Sequence, residues 1–290
     1  MLAQTHVWLQ AARPKTWFAS ICPVILGSAM AMKDGFFELG LFVFTLLTAL
    51  GIQIGTNFAN DYFDFIRGAD TPSRKGPTRV TQAGLVSISE MKRGIIIAFG
   101  LTLLCGCFLI AKGGLVMGIL VSLAVLLGLA YTAGPAPIGY IGLSEVFIIF
   151  FFGSLAVAGT YFLQTGNWSQ ETWIIGMGPG LLSSAILVVN NMRDQKQDQA
   201  AGKKTLIVRF GDNFGKFEYI FFILGAMIVP CFFLQQHPLA LLCWLTFPPT
   251  IPLMITICRQ KQPEEIGALL PKTGQILFFY TLLLCLGWML

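Results

Sequence analysis

Apolar residues along this chain fall into blocks of about 17 to 25, separated by short polar punctuation, the length an α-helix needs to cross a bilayer's hydrocarbon core. The blocks cover residues 16–32, 38–58, 94–111, 114–131, 142–163, 173–190, 217–235, 238–258 and 273–290. They predict an all-α membrane protein of nine transmembrane helices in one bundle, a single domain over 1–290. A transmembrane barrel would instead alternate apolar and polar positions in segments of about ten, and no such segments occur.

Composition agrees with this pattern. The chain is 55% hydrophobic and 11% charged, far below the roughly 25% charge of soluble domains. Basic loops are retained in the cytoplasm, and the nine-span arrangement puts seventeen of nineteen Lys and Arg residues on one side, with only Lys33 and Lys112 on the other. The N-terminus is therefore expected in the cytoplasm and the C-terminus outside. The net charge of +5 follows from this asymmetry and implies no nucleic-acid partner. No removable signal peptide is expected at the start, and the lack of a transit-like segment favours a bacterial plasma (inner) membrane. The seven cysteines lie in apolar segments without CxxC spacing, which suits small buried hydrophobes better than disulfides or zinc.

Most connections are only a few residues long. Two are not, residues 59–93 and 191–216, and both fall on the predicted cytoplasmic face, where long loops in a compact fold tend to be functional. The Pro/Gly-rich turn Tyr131-Thr132-Ala133-Gly134-Pro135-Ala136-Pro137 lies on the same face and cannot continue a helix. Asn60-x-x-x-Asp64 recurs as Asn190-x-x-x-Asp194, 130 residues on. Four spans separate the two, so the match suggests a parallel internal repeat, a first half over about 10–131 and a second over about 142–258.

These two stretches carry the chemistry. If the second span continues as a helix past its membrane end, Asn57, Asn60, Asp61 and Asp64 line one face, with Asp70 following a glycine. In the second stretch Asn190, Asp194 and Asp198 form another stripe. Carboxylate and amide oxygens are hard ligands suited to magnesium, which uses one or two carboxylates and leaves positions for substrate phosphates. Two facing stripes could clamp a diphosphate between bridging ions. Arg67, Arg74, Lys75, Arg79, Arg193, Lys203, Lys204 and Arg209 are available to its remaining oxygens. Asp and Asn at membrane depth are costly and usually functional.

The paired motifs Asn60-x-x-x-Asp64-x-x-x-x-x-Asp70 and Asn190-x-x-x-Asp194-x-x-x-Asp198, on a chain of this length and span count, resemble those of the UbiA superfamily of intramembrane aromatic prenyltransferases. Arg13-Pro14-Lys15-Thr16, Gly76-Pro77-Thr78-Arg79, Gln82-Ala83-Gly84 and Tyr131-Thr132-Ala133-Gly134-Pro135 resemble its menaquinone branch. The 4-hydroxybenzoate branch carries a Lys four residues after a Tyr in the middle cytoplasmic loop, where this chain has Pro135 after Tyr131. The resemblance implies Mg2+-dependent transfer of a polyprenyl group from polyprenyl diphosphate to 1,4-dihydroxy-2-naphthoate, with loss of carbon dioxide. It implies ligation of the metal by Asp64, Asp70, Asp194 and Asp198, with Asn60 and Asn190 orienting the head group. Asp61 stands as either a further ligand or a base at the ring. Lys75, Arg79, Arg193 and Lys203 are the expected diphosphate contacts, and the π-faces of Tyr131, Tyr62 and Phe63 the candidates for stabilising a carbocation. Among alternatives, another aromatic acceptor or a haem-farnesylating activity keeps the same chemistry. A secondary transporter would place its charges nearer the bilayer midplane, whereas acidic residues here avoid the span interiors, with Glu145 and Glu218 near span ends.

Overall fold

The computed structural model describes residues 2–70, 76–259 and 262–290, and all regular elements among them are helical. The main ones are α1 (Leu2–Ala12), α2 (Phe18–Lys33), α3 (Leu39–Ile66), α4 (Ile88–Ala130), α5 (Ser144–Thr165), α6 (Gln170–Ala200), α7 (Asp212–Phe233), α8 (Pro238–Arg259) and α9 (Pro263–Met289). Seven of them, α3 to α9, are long and apolar enough to cross a membrane, and the bent pair α1 and α2 makes up to eight.

This count differs from the nine blocks because α4 is one 43-residue element. Straight, it would be about 65 Å long, roughly twice the hydrocarbon thickness. It is not straight. Gly114 takes φ 62° and ψ −152°, a conformation open to glycine, and the chain doubles back so that Gly106 packs on Val121. The two limbs match the blocks 94–111 and 114–131.

The N-terminal entry also bends. Arg13, the one non-glycine residue of positive φ among those described, adopts φ 51° and ψ 67°. Pro14 disfavours the right-handed helical region for the residue before it, and α1 meets α2 at 56°. At the other extreme, α6 runs on to Ala200 where a loop was expected from residue 191. Polarity ends the apolar block at Asn190, but Met, Arg, Gln and Lys are good helix formers, so the helix continues for about three more turns.

The bundle is organised around α6, whose apolar window is 78% buried against 22% for α3. Its side chains Leu182, Ala185, Val188 and Val189 are fully buried in the largest hydrophobic cluster. Close approach to α5 relies on glycine: a Cβ on Gly153 would stand 2.6 Å from the Gly176 carbonyl oxygen and 2.8 Å from Gly180 Cα, the small-residue contact that lets membrane helices touch by their backbones. The outward faces carry Leu104, Leu115, Leu126, Phe217, Phe221 and Phe232, all exposed. Lys33 and Lys112 lie together with the turn after α2, where Lys112 pairs with Glu38 and Tyr161 donates to Asp34. Asp64, Asp70, Arg79, Asp198 and Lys203 pair with one another elsewhere in the bundle.

Candidate active site

Helix α3 carries Asn57, Asn60, Asp61 and Asp64 to its end at Ile66, as the continued-helix expectation required. Gly68 at φ 69° reverses the chain, with Ala69 N donating to Asp64 O and Gly68 N to Phe65 O, a Schellman termination. Helix α6 ends in the same way at Gly202, φ 72°, with Lys203 N donating to Asp198 O and Gly202 N to Gln199 O. The difference in motif spacing has its cause here. The first helix stops after Asp64 and Asp70 is delivered by the turn, whereas the second continues a further turn and carries Asp198 itself.

Four carboxylates form two linked groups. Asp64, 1% exposed, receives the Tyr140 hydroxyl on Oδ1 at 2.7 Å, and on Oδ2 Arg79 Nη2 at 3.3 Å and Lys203 Nζ at 3.4 Å. Arg79 Nε lies 3.3 Å from Asp70, and Lys203 Nζ 3.3 Å from Asp198. In the second group Arg193 grips both oxygens of Asp194 at 2.7 Å and donates to Asn190 Oδ1 at 2.7 Å. Gln197 Nε2 donates to Ala69 O at 2.8 Å, a second link between the motifs. Burial opposes the charge on Lys203, but Asp64 and Asp198 outweigh it and hold the ammonium above the ordinary lysine range. Burial and the neighbouring Asp64 charge likewise raise the Tyr140 hydroxyl above the usual tyrosine range.

Asn60, Asn190 and Tyr131 line a cavity of about 320 Å³ that continues between apolar walls including Leu127, Phe147, Phe151 and Leu155. The site thus has a polar head and an apolar body. Tyr140, absent from the sequence-based candidates, has Arg67 and Lys203 over its ring, at 5.1 and 4.9 Å from the centroid. Its position just after the Pro/Gly turn was the available signal, since that turn was expected on this surface. Arg67 fastens the turn by donating to Thr132 O and to Gly134 O at 2.6 Å, and Arg209 donates to Ile141 O and Lys204 O. Both arginines therefore serve the backbone here.

Two expectations change. Asp61 stands outside the carboxylate groups: its oxygens accept from Val80 N at 3.2 Å and Thr81 N at 3.1 Å, so it anchors the loop before α4. Tyr62 packs against the buried cluster of Ala11, Ala12, Val80 and Met91, and neither it nor Phe63 lines the cavity. Lys75 and Arg74 lie outside the described residues.

The donor set fits magnesium in chemistry. All four aspartates are buried oxygen donors, and among the described residues no three acidic, His or Cys side chains form a ready-made metal cage. Magnesium usually takes few protein carboxylates and completes its shell with water and phosphate oxygens, which suits pairs of aspartates held apart by cations.

Fold and site together define a helical membrane protein in which two acidic motifs close over an apolar chamber. The chain belongs to the UbiA prenyltransferase family, whose model matches residues 20–283. It is 36% identical to the 1,4-dihydroxy-2-naphthoate octaprenyltransferase of Haemophilus influenzae, covering 97% of this chain and 95% of that protein. Identity with the enzyme of the same name from Escherichia coli is 33%, over 99% and 96%. A solved UbiA homolog from Archaeoglobus fulgidus bound to GPP and Mg2+ shares the fold, with TM-score 0.65 and 17% identity over 96% of this chain and 99% of that one.

Proposed function

We propose that this protein transfers a polyprenyl group from polyprenyl diphosphate to 1,4-dihydroxy-2-naphthoate, releasing carbon dioxide and forming demethylmenaquinol. The observation that carries the proposal is the Lys203 bridge between Asp64 and Asp198, which brings the two motifs to one place above an apolar chamber. The acceptor follows from full-length similarity to two enzymes named for it. The same similarity to bacterial proteins, with the distribution of basic residues, supports a bacterial plasma membrane, a cytoplasmic N-terminus and an active site facing the cytoplasm. Dividing α4 at Gly114 and counting the bent pair as one yields nine crossings. The shared helix endings at Gly68 and Gly202 support a parallel repeat.

Asp64, Asp70, Asp194 and Asp198 hold magnesium, which when bound neutralises charge on the departing diphosphate. Arg79, Arg193 and Lys203 release their carboxylates and turn to diphosphate oxygens, with Lys75 as a further contact. Asn60 and Asn190 orient the head group at the chamber mouth. The allylic C–O bond breaks with its electron pair on the diphosphate oxygen, and this electrostatic stabilisation is the main source of rate. Tyr131 offers its π-face to the allylic cation, and the chamber walls exclude water. The ring carbon bearing the carboxylate bonds to the allylic carbon. The bond to the carboxylate then breaks, its electrons restore aromaticity, and carbon dioxide leaves.

Purified protein in liposomes, given one polyprenyl diphosphate and either 1,4-dihydroxy-2-naphthoate or 4-hydroxybenzoate, tests the proposal. Magnesium-dependent product with carbon dioxide from the naphthoate is expected. Product from the benzoate alone would overturn the acceptor, and product without any divalent ion would overturn the clamp.

A further inference from the structure

Glu145 is a buried acid that the proposed chemistry does not use. It lies in the first turn of α5, is 2% exposed, and among the described residues its Oε2 has no hydrogen-bond partner. Glu218 on α7 is also buried, and among the described residues its Oε2 has no hydrogen-bond partner. Placing an acid in an apolar bundle is costly, so its contacts are informative. Two hydrogen bonds tie Glu145 to α6. Ser184 Oγ donates to the Glu145 backbone carbonyl at 3.1 Å, and Asn191 Nδ2 donates to Oε1 at 3.3 Å.

We propose that Glu145 is a positioning residue for the second acidic motif, fixing the rotation of α6 about its own axis through Asn191. This rests on the metal-clamp assignment above. Ser184 and Asn191 are seven residues apart, about two turns, and so share one helix face. Asp198, seven residues beyond Asn191, continues that face, and Asn190 and Asp194 occupy the adjoining one. Gripping the first face at two heights sets where the second points. A rotation of about 20° would sweep a carboxylate roughly 5 Å from the axis through about 2 Å, and misplacement by about 1 Å can cost on the order of 100-fold in rate. The first motif repeats the arrangement. Asp61 occupies the same place after Asn60 that Asn191 occupies after Asn190, and it too spends its side chain on an anchor, the Val80 and Thr81 amides.

The test is a magnesium titration of prenyl transfer by the full-length protein carrying E145A, N191A, both, or E145Q, with thermal stability measured in parallel. E145A and N191A should each raise the magnesium concentration for half-maximal rate about tenfold, the usual scale for groups that orient metal ligands. The double variant should be no worse than either single one, because both remove one interaction. E145Q keeps an oxygen for Asn191 and should stay within about twofold of wild type. An unmoved half-saturation in E145A, or E145Q as impaired as E145A, would overturn the role. Should E145A not purify, N191A carries the same test, since it leaves the Glu145 backbone contact intact. Wild-type turnover independent of magnesium would defeat the clamp instead.

Discussion

The ammonium of Lys203 stands 3.4 Å from Asp64 Oδ2 and 3.3 Å from Asp198 Oδ1, so a single side chain joins an aspartate 139 residues away in sequence to one just before it on α6. Removing that charge should weaken binding of the diphosphate. Lys203→Met is expected to raise KM for the polyprenyl diphosphate about tenfold with a smaller change in kcat, the signature of binding lost equally in ground and transition states. Initial-rate kinetics across diphosphate concentrations check this, and an unchanged KM would remove Lys203 from the binding site.

Asp64 and Asp194 lead the two groups. Asp64→Ala and Asp194→Ala should each lower kcat about 100-fold or more, the scale seen when a preorganised electrostatic contact is deleted. Membrane insertion and a monodisperse profile in detergent should persist. Near-normal turnover in either variant would sink the clamp.

Tyr140 offers a finer probe. Tyr140→Phe keeps the ring that Arg67 and Lys203 approach but deletes the hydroxyl that Asp64 accepts. Hydrogen bonds to charged groups contribute about 1.5–3 kcal/mol, so kcat should fall about tenfold or more while the thermal midpoint moves little. Wild-type kcat in this variant would make the tyrosine a packing residue only.

For Asp61 the expected loss is one of stability. Asp61→Ala leaves the buried Val80 and Thr81 amides without their acceptor, which costs about 1–3 kcal/mol for each such group. Protease sensitivity of the segment before α4 should rise, and kcat should remain well above that of Asp64→Ala. Equal kinetic damage with unchanged stability would return Asp61 to the chemistry.

Gly153→Leu should prevent assembly of the bundle. Its Cβ would meet the Gly176 carbonyl oxygen at 2.6 Å, and backbone cannot swing aside as a flexible side chain can. Recovery of folded protein after detergent extraction, measured by size exclusion, should collapse.

Hydrophobic block lengths, the asymmetry of Lys and Arg, and the repeated Asn-x-x-x-Asp pattern were all legible in the chain because each reports a local or one-dimensional constraint: the width of a bilayer, the sidedness of insertion, the period of a helix. Asp64 and Asp194 were found from that pattern and lie in the two groups the structure displays. Helix ends were less legible. The block of α6 loses its hydrophobicity at Asn190, yet the backbone stays helical to Ala200, because leaving the hydrocarbon does not require ending a helix.

The apolar helices of the bundle and the placing of Asn60, Asp64, Asn190 and Asp194 on helices were thus determined by the sequence itself, since membrane thickness and helical periodicity act on neighbours along the chain. Only the tertiary structure decided that Asp61 accepts from the Val80 and Thr81 amides, that Tyr140 donates to Asp64, and that Asn191 donates to Glu145. Each of those roles depends on which distant backbone or side-chain group fills the remaining hydrogen-bonding positions of a buried polar atom. That choice is made by packing, where a carboxylate looks the same in sequence whether it will meet a metal, an arginine or two amides.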